Sequence, residues 1–493
     1  MNAPIGMLVV AAGLLLSACR GNDATSPAGT PGPDPQTLNA RIDSIAETAL
    51  RDGPVAGLSI AIFRGSEPVL VKGYGFSDVE AGLPVTAETK YDIASVSKLF
   101  TALAVMRLVE EGELRLDDDL TTLLPTFPNP EQGRRISLRQ LLNHTSGLND
   151  YLAADFVRLL HSEKPVAALP ASFVLDYLDG RALDADAGTE WQYTNSGFYL
   201  AGLIIEQVTG QRWGDYVRNA VAKPLGLHDT LACDDLRPDQ RTQGYEPADD
   251  GFNRSSLYAE AGVQGDGGLC STALDLGRLP AALAEQRLIP EARIVEMQQP
   301  SILANGVAVD YGLGVRRGRL DGHSIWGHTG SFLLTYGAVL ARYPDDDVTI
   351  AVLVNTANTA ADALVIEGLV AREVLGFPES AADTPKLSRE ASMMYAGEYI
   401  GDRYYDVQAI RGGNVPDARE RFAIVEKSGH LERIVLNGDE RPALKLVYKG
   451  NHRFGRADWP MDRFVFDVEA GRARGYSEYY NGIFATFNRR VEP

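Results

Sequence analysis

Ser95-Val96-Ser97-Lys98-Leu99-Phe100-Thr101-Ala102-Leu103-Ala104-Val105-Met106-Arg107-Leu108-Val109-Glu110-Glu111-Gly112 is the stretch on which the reading of this chain turns. Leu99, Ala102, Leu103 and Met106 recur at helical spacing, and Gly112 suits a C-terminal cap. A helix is predicted over Val96–Glu111. It opens on Ser-x-x-Lys, a pattern found once in the chain. A separation of three puts hydroxyl and amine one turn apart on one face. The positive potential of a helix N-terminus, with burial, lowers the proton affinity of an amine. A neutral Lys98 can then take the Ser95 proton. The Ser95 N–H would point into the same space, as half of an oxyanion hole. A capped helix start with a solvated Lys has the same residue types, so the motif needs company.

Two other short motifs supply it. Tyr193-Thr194-Asn195 follows Ala187-Gly188-Thr189-Glu190-Trp191 and precedes a predicted helix over Gly197–Val208. A Tyr beside a Lys can share its proton, serving as base and then as acid. The Asn195 amide would hold the Lys and a substrate amide. His328-Thr329-Gly330-Ser331 leads into strand-like residues. On an edge strand, Gly330 would let a substrate approach the backbone. The Ser331 N–H would be the second oxyanion donor. His328 and Thr329 would face the leaving side or a substrate carboxylate. A second Y-x-N, Tyr479-Tyr480-Asn481, reads as a chance match on a β surface.

Working outward, Gly57–Phe63 and Pro68–Tyr74 read as a hairpin joined by Arg64-Gly65-Ser66-Glu67. Thr37–Arg51 and Trp213–Ala222 read as helices. Ala338–Ala341 and Val348–Val354 read as strands, and Ala360–Leu375 as a closing helix. The implied fold class is α+β. An antiparallel sheet forms from both ends of residues 37–377, flanked by helices, with an all-helical insertion between. Residues 378–390 are a Pro/Ala/Asp/Ser linker. Residues 391–493 hold 15 of the 40 aromatic residues, in short alternating runs. These read as a small all-β, lipocalin-like domain.

The chain has 493 residues, with 47 basic and 66 acidic side chains, net −19. Nucleic acid is a poor partner for that charge. The acidity is confined to residues 1–390, because residues 391–493 hold 16 basic and 15 acidic residues. No apolar run is long enough to cross a bilayer. Met1–Ala18 lacks charged side chains and carries an apolar run from Ile5 to Leu16, which suits a signal peptide. The run ends Leu16-Ser17-Ala18-Cys19, like a bacterial lipobox with Cys19 as the lipidated residue. Residues 19–36 read as a flexible tether. Export and lipid anchoring through Cys19 to a membrane, facing the periplasm or exterior, are therefore expected. Cys233 and Cys270 would be a disulfide or two buried thiols. No metal-ligand cluster, phosphate loop or G-x-S-x-G elbow is present, and no cofactor is expected.

In order, the motifs resemble those of the penicillin-recognising serine hydrolases: class C β-lactamases, DD-carboxypeptidases and their esterase relatives. Tyr91-Asp92-Ile93-Ala94, Leu141-Leu142-Asn143-His144-Thr145-Ser146-Gly147-Leu148, Pro224-Leu225-Gly226-Leu227 and Gly267-Gly268-Leu269-Cys270-Ser271-Thr272-Ala273-Leu274-Asp275-Leu276 add to the likeness. Tyr395-x-Gly397-x-Tyr399 resembles the start of the β-domain appended to many such hydrolases. The resemblance implies an acyl-enzyme on Ser95, with Lys98 and Tyr193 handling the proton. Asn195, His328, Thr329, Gly330 and Ser331 would bind a small-molecule or peptide substrate. His144 would orient a loop. Two departures bear on substrate. His328 stands where class C β-lactamases carry Lys, and a neutral imidazole binds a carboxylate less strongly than an ammonium. Ala187 stands where the family often has Pro. No E-x-x-L-N stretch offers a class A deacylating Glu. The resemblance leaves open a D-amino-acid peptidase, amidase or esterase, a β-lactamase, or an acylated sensor. The complete Ser95/Lys98/Tyr193 set argues against a dead scaffold.

Overall fold

The computed structural model describes residues 34–152, 171–255, 264–332, 335–377 apart from 358 and 360, 387–401, and 419–491 apart from 428–429, 438–441, 457–462 and 481. The signal segment, Cys19 and most of both tethers lie outside the described residues. The first helix is α1 (Pro35–Asp52), followed by strands β1 (Gly57–Arg64) and β2 (Glu67–Asp78). Helices α2 (Ser97–Glu110), α3 (Leu138–Leu142), α4 (Asn195–Thr209) and α5 (Ala273–Ala284) come next. Then follow β3 (Arg316–Leu320), β4 (His323–Phe332), β5 (Tyr336–Tyr343), β6 (Val348–Val354) and α6 (Ala363–Leu375).

Asp34 explains why α1 starts within the expected tether. Its carboxylate accepts from the Gln36 and Thr37 N–H groups, and Pro35 fills the first helical position. The strands order β3-β4-β5-β6-β1-β2, all antiparallel. The N-terminal hairpin thus pairs with the last core strand, Leu58 opposite Val354. Every residue of β6 is buried because both sheet faces are covered. Ile350 and Val352 meet α1 and α6 on one face, while Ala351 and Leu353 meet the core around α2, α4 and α5 on the other. The insertion between β2 and β3 is helical in bulk, and the described residues add three short two- or three-stranded sheets. One joins Tyr91–Asp92 to Leu269–Ser271 and Leu231–Ala232. Cys233 and Cys270 are disulfide-bonded across it, 37 residues apart. The predicted Trp213–Ala222 helix is α-helical only over Trp213–Tyr216, and Val217–Ala222 opens into a π-turn.

The C-terminal piece is a closed antiparallel barrel. Its strands among the described residues are β7 (Gly397–Ile400), β8 (Arg421–Lys427), β9 (His430–Val435), β10 (Leu444–Gly450), β11 (Arg453–Arg456), β12 (Arg463–Glu469), β13 (Arg472–Tyr480) and β14 (Ile483–Arg490). β7 pairs with both β8 and β14, which closes the ring. Closure removes the open edges that a free sheet would expose. Tyr395, Tyr399, Phe422, Phe454, Phe464, Phe466 and Tyr476 fill the interior.

Two side-chain features generate stability predictions. Glu367 of α6 is fully buried, and Tyr343 Oη donates to its Oε1 at 2.7 Å. Its Oε2 has no partner among the described residues. Burial pushes this carboxyl up to about 8. A raised folded value means that stability is full below the unfolded value of about 4.3 and is lost as pH rises through about 8. Glu367→Gln should flatten the fall in melting temperature between about pH 5 and pH 9, and be the more stable form at pH 9. An equal slope in both proteins would refute this. Cys270→Ser removes a 37-residue cross-link and should cost up to about 4 kcal/mol in a denaturant titration.

Candidate active site

Ser95 sits in a 3-10 turn, Ala94–Val96, that feeds α2. It is the one residue of 91–100 that is not buried. Ala94 just before it has φ +45°, in the left-handed region that costs a non-glycine residue about 1 kcal/mol. The Ala94 N–H donates to the buried Asp92 Oδ1 at 2.7 Å, which helps hold the turn. Burial pushes the Asp92 carboxyl up to about 6.

Lys98 is fully buried one turn further on. Its Nζ lies 3.0 Å from Ser95 Oγ, 2.7 Å from Asn195 Oδ1 and 2.7 Å from the Asp266 carbonyl oxygen. The last two atoms can only accept. They therefore take two N–H groups and leave the third direction of the nitrogen facing the Ser95 hydroxyl. Asp150 fixes which way the Asn195 amide points. Its Oδ2 accepts from Asn195 Nδ2 at 3.1 Å and its Oδ1 from the Asn195 N–H at 3.1 Å. With the amide nitrogen held, the amide oxygen must face Lys98. The Tyr193 ring centre is 4.9 Å from Lys98 Nζ. Tyr193 is partly exposed, so nucleophile and phenol both reach solvent while the amine beside them is sealed. Burial pushes the Asp266 carboxyl up to about 7, against the pull of the Lys98 charge and of the Tyr151 hydroxyl that donates to it at 2.9 Å.

A second polar chain runs behind Tyr193. The Thr194 N–H donates to His144 Nδ1 at 3.2 Å. That nitrogen is therefore bare, and Nε2 carries the hydrogen that goes to Tyr311 Oη at 3.0 Å. His328 Nδ1 faces the Thr329 carbonyl at 2.7 Å and must be the protonated nitrogen. Its Nε2 then accepts from Tyr311 Oη at 2.9 Å. Each atom has one role, and both rings are neutral. Burial first, then the charges of Lys98 and Arg316, hold both imidazoles well below their usual range.

This chain corrects the expectation for His328. The ring is fully buried and both nitrogens are engaged, so it does not face a substrate carboxylate. Thr329, Gly330 and Ser331 are the members of that motif that remain accessible. The edge-strand expectation holds only for the second half of β4. β3 pairs with it only as far as Gly327, and the Ser95 turn packs against Gly330 beyond that. Gly330 lies beside the nucleophile, as expected, and its missing side chain makes room for the nucleophile's own turn. A Cβ there would stand 2.4 Å from the Ile93 carbonyl oxygen and 2.9 Å from the Ser95 nitrogen. Tyr479 is not a surface accident either. It lies at the seam with the barrel and donates to Asp310 Oδ2 at 2.6 Å. Sequence reasoning missed Tyr311, Asp150, Asp266 and Arg316. Asp266 directly precedes Gly267, Asp150 lies two residues after Leu148, and Tyr311 opens Tyr311-Gly312-Leu313-Gly314. Among the described residues no group of three or more His, Cys, Asp and Glu side chains could hold a metal ion, and no helix is long and apolar enough to cross a membrane.

Gly330→Ala should push β4 off the Ser95 turn. The expected result is a fall of about 10-fold or more in the rate of Ser95 acylation, with a stability cost of about 1–3 kcal/mol. Phosphonylation of Ser95 Oγ by a fluorophosphonate, with loss of fluoride and read by peptide mass, checks it. An unchanged rate would mean that the contact does not shape the nucleophile.

Residues 42–374 match the Beta-lactamase family. Penicillin-binding protein 4* of Bacillus subtilis (strain 168) is 28% identical over 363 residues, 68% of this chain and 77% of that protein. The octameric penicillin-binding protein homologue from Pyrococcus abyssi shares the fold across 93% of this chain and 100% of its own, with a TM-score of 0.61 at 24% identity. The D-amino acid amidase from Ochrobactrum anthropi SV3 covers 69% of this chain and 98% of its own, with a TM-score of 0.59 at 25% identity. With a Ser-x-x-K nucleophile turn, a sealed Lys and a neighbouring Tyr in one site, the chain belongs to the β-lactamase family of serine hydrolases, the type that includes the penicillin-binding proteins.

Proposed function

We propose that the protein forms an acyl-enzyme on Ser95 and hydrolyses D-amino-acid peptides, small amides or esters. The observation that carries the chemistry is the setting of Lys98. Two pure acceptors, Asn195 Oδ1 and the Asp266 carbonyl, leave its third direction to the Ser95 hydroxyl. Lys98 so placed, together with Tyr193, takes the Ser95 proton as Oγ attacks the carbonyl carbon. Tyr193, as the base that shares this proton, then passes it to the leaving amine or alcohol, and water reverses the sequence on the acyl-enzyme. The N–H groups of Ser95 and Ser331 hold the oxyanion. Asn195 positions the substrate as well as Lys98. The preference for a D-centre is supported by the likeness to a D-amino acid amidase at 25% identity. A class C-like β-lactamase is the second reading, and the sealed imidazole of His328, with no ammonium in its place, weighs against it.

We also propose that the chain is exported and held to a membrane by a lipid on Cys19. The Cys233–Cys270 bond supports this, since such bonds persist in oxidising compartments.

The test uses a soluble form beginning near Gly21, with Ser95→Ala as control. A D-alanine p-nitroanilide, a p-nitrophenyl ester, a fluorescent penicillin and a chromogenic cephalosporin are offered in turn. Amide or ester turnover lost by about 10³-fold or more in Ser95→Ala is expected. Rapid cephalosporin turnover would replace the reading with a β-lactamase. Stable penicillin labelling without turnover of any probe would make the protein a sensor. Equal rates for wild type and Ser95→Ala would remove Ser95 from the chemistry.

A further inference from the structure

The barrel reaches the catalytic half of the core sheet through its last two strands. Gly318 of β3 pairs with Ile483 of β14. A Cβ on Gly318 would stand 1.8 Å from the Gly482 carbonyl oxygen, so this close approach needs glycine. Two residues back on β3, Arg316 turns its side chain to the same strand. Its Nη1 donates to the Phe484 carbonyl at 2.8 Å and the Ala485 carbonyl at 2.7 Å. The guanidinium carbon lies 5.2 Å from the Tyr193 ring centre and 5.8 Å from that of Tyr311.

The surrounding contacts brace both phenols from the barrel side. The Phe484 ring stands edge-on to Trp191 at 5.0 Å, and Trp191 is two residues before Tyr193. Arg489 pairs with Glu190 at 2.9 Å. Tyr479 holds Asp310, next to Tyr311. The kind of anchor matters. Two backbone carbonyls fix a guanidinium without cancelling its charge, as a carboxylate would. The positive charge therefore stays directed at the rings.

We propose that the C-terminal barrel is a working part of the active site: through the Phe484 and Ala485 carbonyls it positions Arg316, whose charge tunes proton transfer at Tyr193. This rests on the reading of Ser95 as nucleophile and Tyr193 as its acid–base partner. Arg316 is a positioning residue. Among the described residues, the charged or titratable groups near Tyr193 include Lys98, His144, Tyr311 and Arg316, with His328 one step behind Tyr311. Of these, Arg316 is the one whose side chain the barrel holds by the bonds above. A nearby cation favours a deprotonated oxygen over a protonated one, so losing it moves the rising limb of the rate–pH profile to higher pH.

The experiment measures p-nitrophenyl acetate hydrolysis by the full chain between pH 5 and pH 10. Arg316→Gln should lower kcat by about 10-fold or more, change KM by less than about 3-fold, and move the rising limb up by about half a pH unit or more. Arg316→Lys keeps a charge and should recover part of kcat. Gly318→Ala leaves the Arg316 side chain intact, lifts the barrel carbonyls from it, and should move the limb the same way. If it fails to fold by circular dichroism, Gly482→Ala, whose Cβ would stand 2.8 Å from the Arg319 carbonyl oxygen and part β14 from β3, takes its place. A rise in KM with an unmoved profile in Arg316→Gln would make the residue a substrate contact and overturn the proposal. A folded barrel-side variant with the wild-type profile would also overturn it. Undiminished hydrolysis by Ser95→Ala would instead sink the nucleophile reading, and this inference with it, whatever the Arg316 variants do.

Discussion

Lys98 is fully enclosed, and an enclosed amine dictates what must stand around it. Left without partners, an ammonium in such a place costs several kcal/mol. Three oxygens meet it, and they come from widely separated parts of the chain: Ser95, Asn195 and Asp266. Each is itself held. Asp150 grips the Asn195 amide at both its backbone and its side-chain nitrogen. Tyr151 donates to the Asp266 carboxyl. Ser97 and Thr101 on α2 bond to the loop that carries Asp266, through the Leu269 N–H and the Gly265 carbonyl. The start of α4 and the 265–269 loop must therefore arrive in register with α2, or a buried nitrogen loses a partner.

The chain from His144 through Tyr311 to His328 answers a different need. It carries no charge, and its hydrogens run in one direction from the Thr194 N–H to the Thr329 carbonyl. Protonating either ring would break one of those bonds in a water-poor setting. The two networks lie side by side, with Tyr193 between them: His144 is 4.2 Å from the Tyr193 ring centre and Lys98 Nζ is 4.9 Å from it. One network fixes the Lys98 amine against Ser95, and the other packs against the Tyr193 ring. His328, which stands where class C β-lactamases carry Lys, is sealed within this network.

The core sheet ties these pieces to both ends of the catalytic domain. β1 and β2 come from the N-terminal side and β3 to β6 from the C-terminal side, so the site closes only once they pair. β4 brings Gly330 against the Ser95 turn, and β3 meets β14 of the barrel at Gly318. The same strand pair that shapes the nucleophile's flank is thus continuous with the barrel wall.

Local patterns carry much of this in the sequence. The apolar spacing after Ser95 yields α2, whose ends move by one residue from the reading, with a 3-10 turn added in front. Val348–Val354 is a strand over those same residues because a run of β-branched and aliphatic residues buried on both faces has few alternatives. Ser95, Lys98, Tyr193 and Asn195 were legible because chemistry demands those residue types at those spacings. Short barrel strands such as β11 and β7 were not, since four residues carry too little alternation to read. What lay beyond the sequence is what depends on atoms brought together from afar. The engagement of both His328 nitrogens follows from Tyr311, seventeen residues earlier, meeting its Nε2, and from the Thr329 carbonyl facing its Nδ1. The roles of Asp150 and Asp266 follow from the neighbourhood of Lys98, and the setting of Arg316 from two carbonyls more than 160 residues away. Residue type and spacing specify which groups can react. Only tertiary packing decides which of their hydrogen-bonding directions are already used.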